Sequence, residues 1–323
     1  MSTTAVTYLV FGVVLILALV FDLGLLSKKN KSITIKAALW QAVFWVGLGL
    51  AFFGFVWYEK GDVLAFEYLS AYVMEKSLSV DNIFVFILIF SSFGVKEKYI
   101  SRVLFLGVLM AIVLRIVFIT LGVALVERFH WVLYVFGVFL VYTGYKMFAP
   151  NKEEQFDPHD SKIYKFLRKF LPLDPSDGEG KYTIKKNGKR YYTSLFVVVM
   201  MLAAIDVVFA VDSIPAVMGI SKDPLVIYTS NIFAVLGLRS LFFLLRGAVD
   251  KFDYLQQGIA IVLVFIGVKM LAEDYIKDYI DKGTMTGISL GVIVLCILGS
   301  MWYSVRHTKK GTPPEVEDGS IDL

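Results

Sequence analysis

Apolar residues in this chain fall in runs of roughly 18 to 25, broken by short charged stretches. A helix needs about 20 such residues to cross the hydrocarbon core of a bilayer. The runs predict nine spans, at about 6–26, 37–57, 66–90, 102–124, 131–149, 194–218, 226–246, 255–272 and 285–304. The expected fold class is all-α, a polytopic transmembrane helix bundle. Nothing positive precedes the first run, no small-residue cleavage site follows it, and Lys28, Lys29 and Lys31 come after it. That order fits a retained helix with its N-terminus outside rather than a cleaved signal peptide.

Basic residues gather in alternate loops. Lys28, Lys29, Lys31 and Lys36 fill the first, Lys96, Lys98 and Arg102 flank the third, and the long fifth loop is rich in both types. Arg246 and Lys251 lie in the seventh loop, and Arg306, Lys309 and Lys310 in the tail. Two of the remaining loops are acidic, with Glu59, Asp62 and Glu67 in one and Glu273, Asp274, Asp278 and Asp281 in the other. Positive residues favour the cytoplasmic side, so the C-terminus is expected inside.

The fifth loop is the one sizeable polar segment. Within it, Lys181–Thr193 reads as a β-hairpin, with Asn187-Gly188 supplying a type I′ turn. Asp174, Asp177 and Glu179 lie among Pro and Gly at a spacing that does not fit an EF-hand, so an ordinary surface turn is expected. The tail from Gly311 is short and polar. The expected organisation is two N-terminal transmembrane helices (1–65), a three-span repeat (66–149), a cytoplasmic loop with the hairpin (150–193), a second three-span repeat that is inverted (194–272), and a ninth span with a polar tail (273–323).

Composition agrees with a membrane protein. The chain of 323 residues is 57% hydrophobic and 19% charged, with mean hydropathy +0.70, too apolar for a soluble protein of this length. The net charge of +4 comes from basic residues at span ends, which points to the lipid bilayer as partner and away from nucleic acid. A single cysteine, Cys296, excludes an intramolecular disulfide and any multi-cysteine metal site. No nucleotide motif, HExxH or catalytic triad pattern is present, so neither enzymatic activity nor a resident cofactor is expected.

Acidic residues inside the apolar runs carry the chemistry. One run reads Glu75-Lys-Ser-Leu-Ser-Val-Asp81-Asn82, and another Asp206-Val-Val-Phe-Ala-Val-Asp212-Ser213. An ionised carboxylate at this depth costs several kcal/mol, and a crossing cation offsets that cost. Two more pairs of segments align. Met110-Ala-Ile-Val-Leu-Arg115 matches Ala234-Val-Leu-Gly-Leu-Arg239, and Gly144-Tyr-Lys146-Met147 matches Gly267-Val-Lys269-Met270. Three matches in one order, each unit with three spans, predict an inverted-topology repeat with its site at mid-membrane. The inversion predicts Glu75 level with Asp212, and Asp81 level with Asp206. Residues six apart on a regular helix sit about 9 Å apart along the axis and roughly 120° apart around it. Convergence on one ion therefore requires two stacked sites or local unwinding. Pro215 favours a break in span six by freeing the carbonyl of Val211; Ser77 and Ser79 give a weaker signal in span three.

The candidate metal ligands are Glu75, Asp81, Asn82, Asp206, Asp212 and Ser213, with Arg115, Arg239, Ser79 and Asn231 as supporting ion-pair or coupling groups. All the ligands are oxygen donors, and His130, His159 and His307 sit in loops or the tail. Such a set suits Mg²⁺, Ca²⁺ and Mn²⁺ better than Cu or Zn. Four carboxylates against two guanidiniums leave two negative charges, which match one divalent cation or a proton exchange. The bland alternatives are structural ion pairs among these acids, Arg115, Arg239 and Lys76, and interhelical hydrogen bonds for Asn82, Ser213 and Asn231. Lys146 and Lys269 are expected to snorkel. Asp22, near a span end, is a weaker site residue.

At these residues the sequence resembles the TerC family of bacterial membrane proteins, the TerC/Alx type. The matching stretches are Glu75–Asn82, Phe209-Ala-Val-Asp-Ser-Ile-Pro-Ala216 and Thr229-Ser-Asn-Ile-Phe-Ala-Val-Leu-Gly-Leu-Arg-Ser-Leu-Phe-Phe-Leu-Leu245, and the likeness runs from the first loop through span eight. The resemblance implies a multispanning protein of the bacterial plasma (inner) membrane linked to metal-ion homeostasis, with several members associated with Mn²⁺ export. It maps Glu75, Asp81, Asp206 and Asp212 onto the family's intramembrane acids. The family pattern also has a Glu three residues before Asp206, where this chain has Ala203, and that departure bears on ion choice and coupling.

The leading expectation is a secondary transporter that exports a divalent metal, Mn²⁺ favoured. A non-transporting membrane interaction or metallation partner docking through loop 150–193 is the alternative. A tellurite-related oxyanion pathway through Arg115 and Arg239 is the third, disfavoured by four nearby carboxylates. A homo-oligomer or a membrane partner stays open.

Overall fold

A computed structural model describes residues 3–26, 34–148, 158, 160–186, 188–246 and 255–307. The polar tail from Gly311 lies outside the described residues, as do Asn187 and the side chains of Asp22 and Asp81. The fold is all-α apart from one small hairpin. The helices are α1 (Thr3–Leu26), α2 (Ile35–Lys60), α3 (Asp62–Ser92), α4 (Glu97–Arg128), α5 (Val132–Phe148), α6 (Lys162–Phe170), α7 (Ser194–Ile220), α8 (Pro224–Val235), α9 (Leu238–Leu245), α10 (Leu255–Leu271), α11 (Glu273–Ile276) and α12 (Lys282–His307).

Helix ends follow local chemistry. Thr34 caps α2 through the backbone of Ala37, and Asp223 caps α8, with Pro224 at its first position. Gly61, at φ +86°, reverses the chain between α2 and α3. Strands β1 (Thr183–Lys186) and β2 (Lys189–Tyr192) pair antiparallel with Lys186 opposite Lys189, and Gly188 adopts φ +76° in the tight connection. The hairpin is stapled to the preceding turn by Lys186 and Ser176, which both contact the Asp174 carboxylate. Asp177 caps the next turn and pairs with Lys96 at 2.6 Å. Asp174 is thus committed to the loop itself, and Asp177 ties the loop to the start of α4.

Among the described residues, α2, α4, α7 and α12 are each long and apolar enough to cross a bilayer, and α8 with α9 makes a fifth if the bent pair is one span. The other four of the nine expected spans fall on α1, α3, α5 and α10. Helices α5 and α10 have 17 residues each, and α3, though 31 residues long, carries Asp62, Glu67, Glu75, Lys76 and Asp81. Large apolar side chains such as Ile16, Leu17, Trp40, Val135, Val138 and Leu295 are exposed, as lipid-facing residues are in a membrane protein.

The core gathers around α3 and α7, which touch each other. Helix α4 packs on α7, and α3 packs on α8. The most extensive pairing is between α5 and α10, whose backbones meet through glycine. A Cβ on Gly267 would stand 2.7 Å from the carbonyl oxygen of Gly137, and one on Gly144 would stand 2.7 Å from that of Ala260. The spacing that carries Gly144 to Gly267 also carries Gly137 to Ala260 and α5 onto α10, end for end. The two contacts thus exchange when the two helices are exchanged.

Candidate functional site: a buried arginine between two acids

Four helices meet at Arg115. It lies midway along α4, 1% exposed, with Glu75 of α3 and Asp206 of α7 fully buried beside it. Its Nε donates to Asp206 Oδ2 at 2.8 Å and its Nη2 to Asp206 Oδ1 at 3.0 Å, a bidentate pair. Its Nη1 donates to Glu75 Oε2 at 2.8 Å and to Asn231 Oδ1 on α8 at 3.1 Å. Asn231 is held in turn by its own Nδ2, which donates to the carbonyl of Ile227 at 2.9 Å. Four of the five guanidinium N–H groups are thereby used. Two buried carboxyl groups share one guanidinium, so the formal charges of the three groups do not cancel.

Not every oxygen there is satisfied. Glu75 Oε1, Ser79 Oγ and Ser213 Oγ are buried without a hydrogen-bond partner among the described residues. Ser79 and Asn82 follow Glu75 by four and seven residues, so the three share a face of α3. Ser213 follows Asp206 by seven and shares its face of α7. Asn82 and Ser213 are both buried. A buried polar atom left unpaired costs about 1–3 kcal/mol, so a stripe of such oxygens beside a charged pair is what a cation-binding surface requires. All of them are hard oxygen donors, suited to Mg²⁺, Ca²⁺ or Mn²⁺.

The structure corrects several sequence expectations. Glu75 was expected level with Asp212, and Asp81 with Asp206. Instead Glu75 and Asp206 meet through Arg115. The two acids hold matching positions in the two acidic segments and share one guanidinium. Asp212 is partly buried and faces α5, where it meets Thr143 and lies near Lys146. Six residues of regular helix turn it roughly 120° from Asp206. The break expected at Pro215 is absent, since α7 runs unbroken from Ser194 to Ile220. Proline there removes one hydrogen bond, and the buried Ile214, Ala216, Val217 and Met218 hold the helix on both sides. Helix α3 is continuous too. The discontinuity lies between α8 and α9. Arg239 is buried on α9 and lines a small cavity with Trp45, Phe105 and Ile112. Ala203 is a buried residue of α7. Among the described residues, no three His, Cys, Asp or Glu side chains gather as a metal cluster.

Two features escaped the sequence reading. Lys76, read as an ion-pair partner, donates from Nζ to the carbonyls of Ala234 at 3.0 Å and Leu236 at 3.1 Å. Glu67, read as a loop acid, is fully buried in the second turn of α3, bonded to Ser221 and paired with Lys282 at 2.8 Å. It sits at a cavity of about 350 Å³ lined also by Lys222, Lys269 and Met285. The signal for Glu67 was its spacing of eight residues from Glu75, little more than two helical turns.

Apolar exposed faces around a buried ionic centre define an integral membrane protein. Residues 60–311 match the integral membrane protein TerC family, and the chain belongs to that family. It is 43% identical over 301 residues to an uncharacterised membrane protein of Myxococcus xanthus, covering 92% of this chain and 93% of that one. It is 38% identical over 309 residues to the "Putative membrane-bound redox modulator Alx" of Escherichia coli strain K12, covering 93% and 95%. A membrane protein of Rickettsia bellii is 39% identical over 294 residues, covering 90% and 97%. No solved structure matches the chain.

Proposed function

We propose that this protein is a secondary transporter of divalent metal cations, acting as an exporter with Mn²⁺ as the favoured substrate. Glu75 and Asp206 are its central ligands. One observation carries the reading. A fully buried carboxylate, Glu75, keeps one oxygen without a described partner inside a centre that already holds an excess negative charge. A purely structural ion pair would gain by satisfying that oxygen. Asn231, Ser79 and Ser213 add neutral oxygens on the same faces, and Asn82 continues the stripe.

Arg115 then serves as the resident counter-ion. It neutralises one carboxylate while the site is empty, which makes burial of two acids tolerable in lipid. Metal arrival displaces the guanidinium from at least one acid, and metal departure lets it return. Exchange of one cation for another keeps the interior charge within one unit throughout. The exchange pattern of contacts supports an inverted repeat of α3–α5 and α7–α10, with the site where the two units meet. In this reading the protein lies in the plasma membrane with its N-terminus outside. The single Cys296 gives the chain no dithiol pair for redox work.

The test is flux in vesicles of purified protein, with Mn²⁺ against Ca²⁺, Mg²⁺, Zn²⁺ and tellurite. Wild type is expected to move Mn²⁺, and Glu75→Gln to lose at least about tenfold, the factor that about 1.4 kcal/mol of lost binding gives. Equal Mn²⁺ flux through wild type and Glu75→Gln, or flux of tellurite alone, sinks the proposal.

A further inference from the structure

At the break between α8 and α9, backbone carbonyls meet a side-chain cation from another helix. Helix α8 ends at Val235. Leu236 leaves it at φ −59°, ψ 130°, and Gly237 turns the chain at φ +86°, ψ 0°. The two helix axes differ by 41°. In an unbroken helix the carbonyl of Ala234 would accept from residue 238, and that of Leu236 from residue 240. The break releases these oxygens inside a protein core, where each needs a donor. The C-terminal end of α8 also carries the negative pole of its dipole. Released carbonyls and a half-helix C-terminus form the kind of site that takes small cations in discontinuous membrane helices.

The ammonium of Lys76 sits there, 3.0 Å from Ala234 O and 3.1 Å from Leu236 O. It comes from α3, one residue after Glu75, so the two neighbours diverge by about 100° around the helix. Glu75 faces Arg115, and Lys76 faces the break. We propose that these carbonyls form a site for a small monovalent cation, and that Lys76 is its tethered occupant. Truncation of Lys76 is then not merely a loss of packing. It vacates a site that accepts a primary ammonium or an alkali ion.

Thermal unfolding of the purified full-length protein in nanodiscs tests this. Wild type should be indifferent to the choice of salt at equal ionic strength. Lys76→Ala should unfold at lower temperature. Ethylammonium, Na⁺ or K⁺ should restore it, raising its folded-to-unfolded ratio about tenfold near the midpoint, the scale of one charged hydrogen bond. Tetramethylammonium, which has no N–H and is too bulky, should restore nothing. Absence of recovery with every small cation overturns the proposal, as does equal recovery with tetramethylammonium. If Lys76→Ala does not fold, Lys76→Arg and Lys76→Met decide, because both keep a long stem and only arginine keeps the charge. Arginine above methionine in stability supports the site, and equality of the two overturns it. No step of this test reads metal flux, so it fails or succeeds separately from the transport proposal.

Discussion

Arg115 and Arg239 close the same short motif, yet one sits in a straight helix and the other two residues past a break. The alignment that pairs them also pairs Val113 of α4 with Gly237. Valine is β-branched and resists positive φ, whereas glycine adopts φ +86° without strain. The same alignment of the acidic segments pairs Lys76 with Val207. Thus the broken span has a residue that permits the break and receives, from α3 of the other half, a lysine that bonds the carbonyls it releases. The unbroken α4 has Val113 at the matching position, and the residue of α7 that matches Lys76 is Val207. A discontinuity in a membrane core needs both conditions, because a turn without a donor strands polar atoms in a dry interior. The consequence is structural asymmetry: Arg115 is carried to the acids by an unbroken helix, while Arg239 follows a break and lines a small cavity.

The largest effect expected from breaking this contrast is at Arg115. Arg115→Met leaves Glu75 and Asp206 buried without their counter-charge, and a broken buried pair costs about 3–5 kcal/mol. Denaturant unfolding in micelles measures it. Adding Glu75→Gln and Asp206→Asn to Arg115→Met should recover most of the loss, since the stranded charges are gone. A triple variant no more stable than Arg115→Met contradicts the electrostatic account.

Next come the paired backbone exchanges. Gly237→Val forces a β-branched residue to positive φ, and its Cβ would lie 2.6 Å from that of Trp45. Strain and overpacking together should cost about 2–3 kcal/mol. Val113→Gly in α4 should cost only about 0.5 kcal/mol, the propensity difference at an exposed position, and leave that helix unbroken. Comparable losses in the two variants would erase the distinction between the halves.

A smaller difference separates the two acids. Asp206 accepts two bonds from Arg115, and Glu75 accepts one and keeps an oxygen free. Asp206→Asn should therefore destabilise more than Glu75→Gln, by about 1–2 kcal/mol. The order reverses if Glu75, rather than Asp206, is the main anchor of the guanidinium, and parallel melting curves resolve it.

Much of this centre was legible in sequence, and the reasons for the rest are specific. Glu75, Asp206, Arg115, Asn231, Ser79 and Ser213 stood out because charge and polarity inside apolar runs are costly. The hairpin at 183–192 followed from turn chemistry. The pairing of levels was misread because it assumed that carboxylates seek equal depth, when an arginine with donors on two edges draws matching acids together. The break was sought at Pro215, since proline is the familiar breaker. Yet Gly237 and Lys76 act as a pair 161 residues apart in the chain, and no local window reveals that pairing. Glu67 was hidden because it fell at the very edge of the expected span and was grouped with the loop acids, whereas α3 begins at Asp62 and takes it into the second turn.

The smallest expected effect lies in the segment that joins the two halves, and it serves as the control. Lys186 and Ser176 hold the Asp174 carboxyl down to about 2, from an ordinary 3.8. A carboxyl depressed in the folded state stabilises the loop fully above its unfolded value. That contribution fades as pH falls from about 4 toward 2. Hydrogen exchange of β1 and β2 should therefore quicken over that window once corrected for intrinsic rates, and Asp174→Asn should remove the pH dependence. The charge involved is exposed to solvent on the Lys186 side, so salt should weaken the effect. Helices α4 and α8–α9 should keep their protection in the same experiment, because the Asp174 staple bonds only within its own loop. If the protection of α8–α9 falls in step with the hairpin while α4 holds, the broken half draws part of its stability from the loop. The asymmetry would then originate in the connection, and the roles given to Gly237 and Lys76 would have to be reduced accordingly.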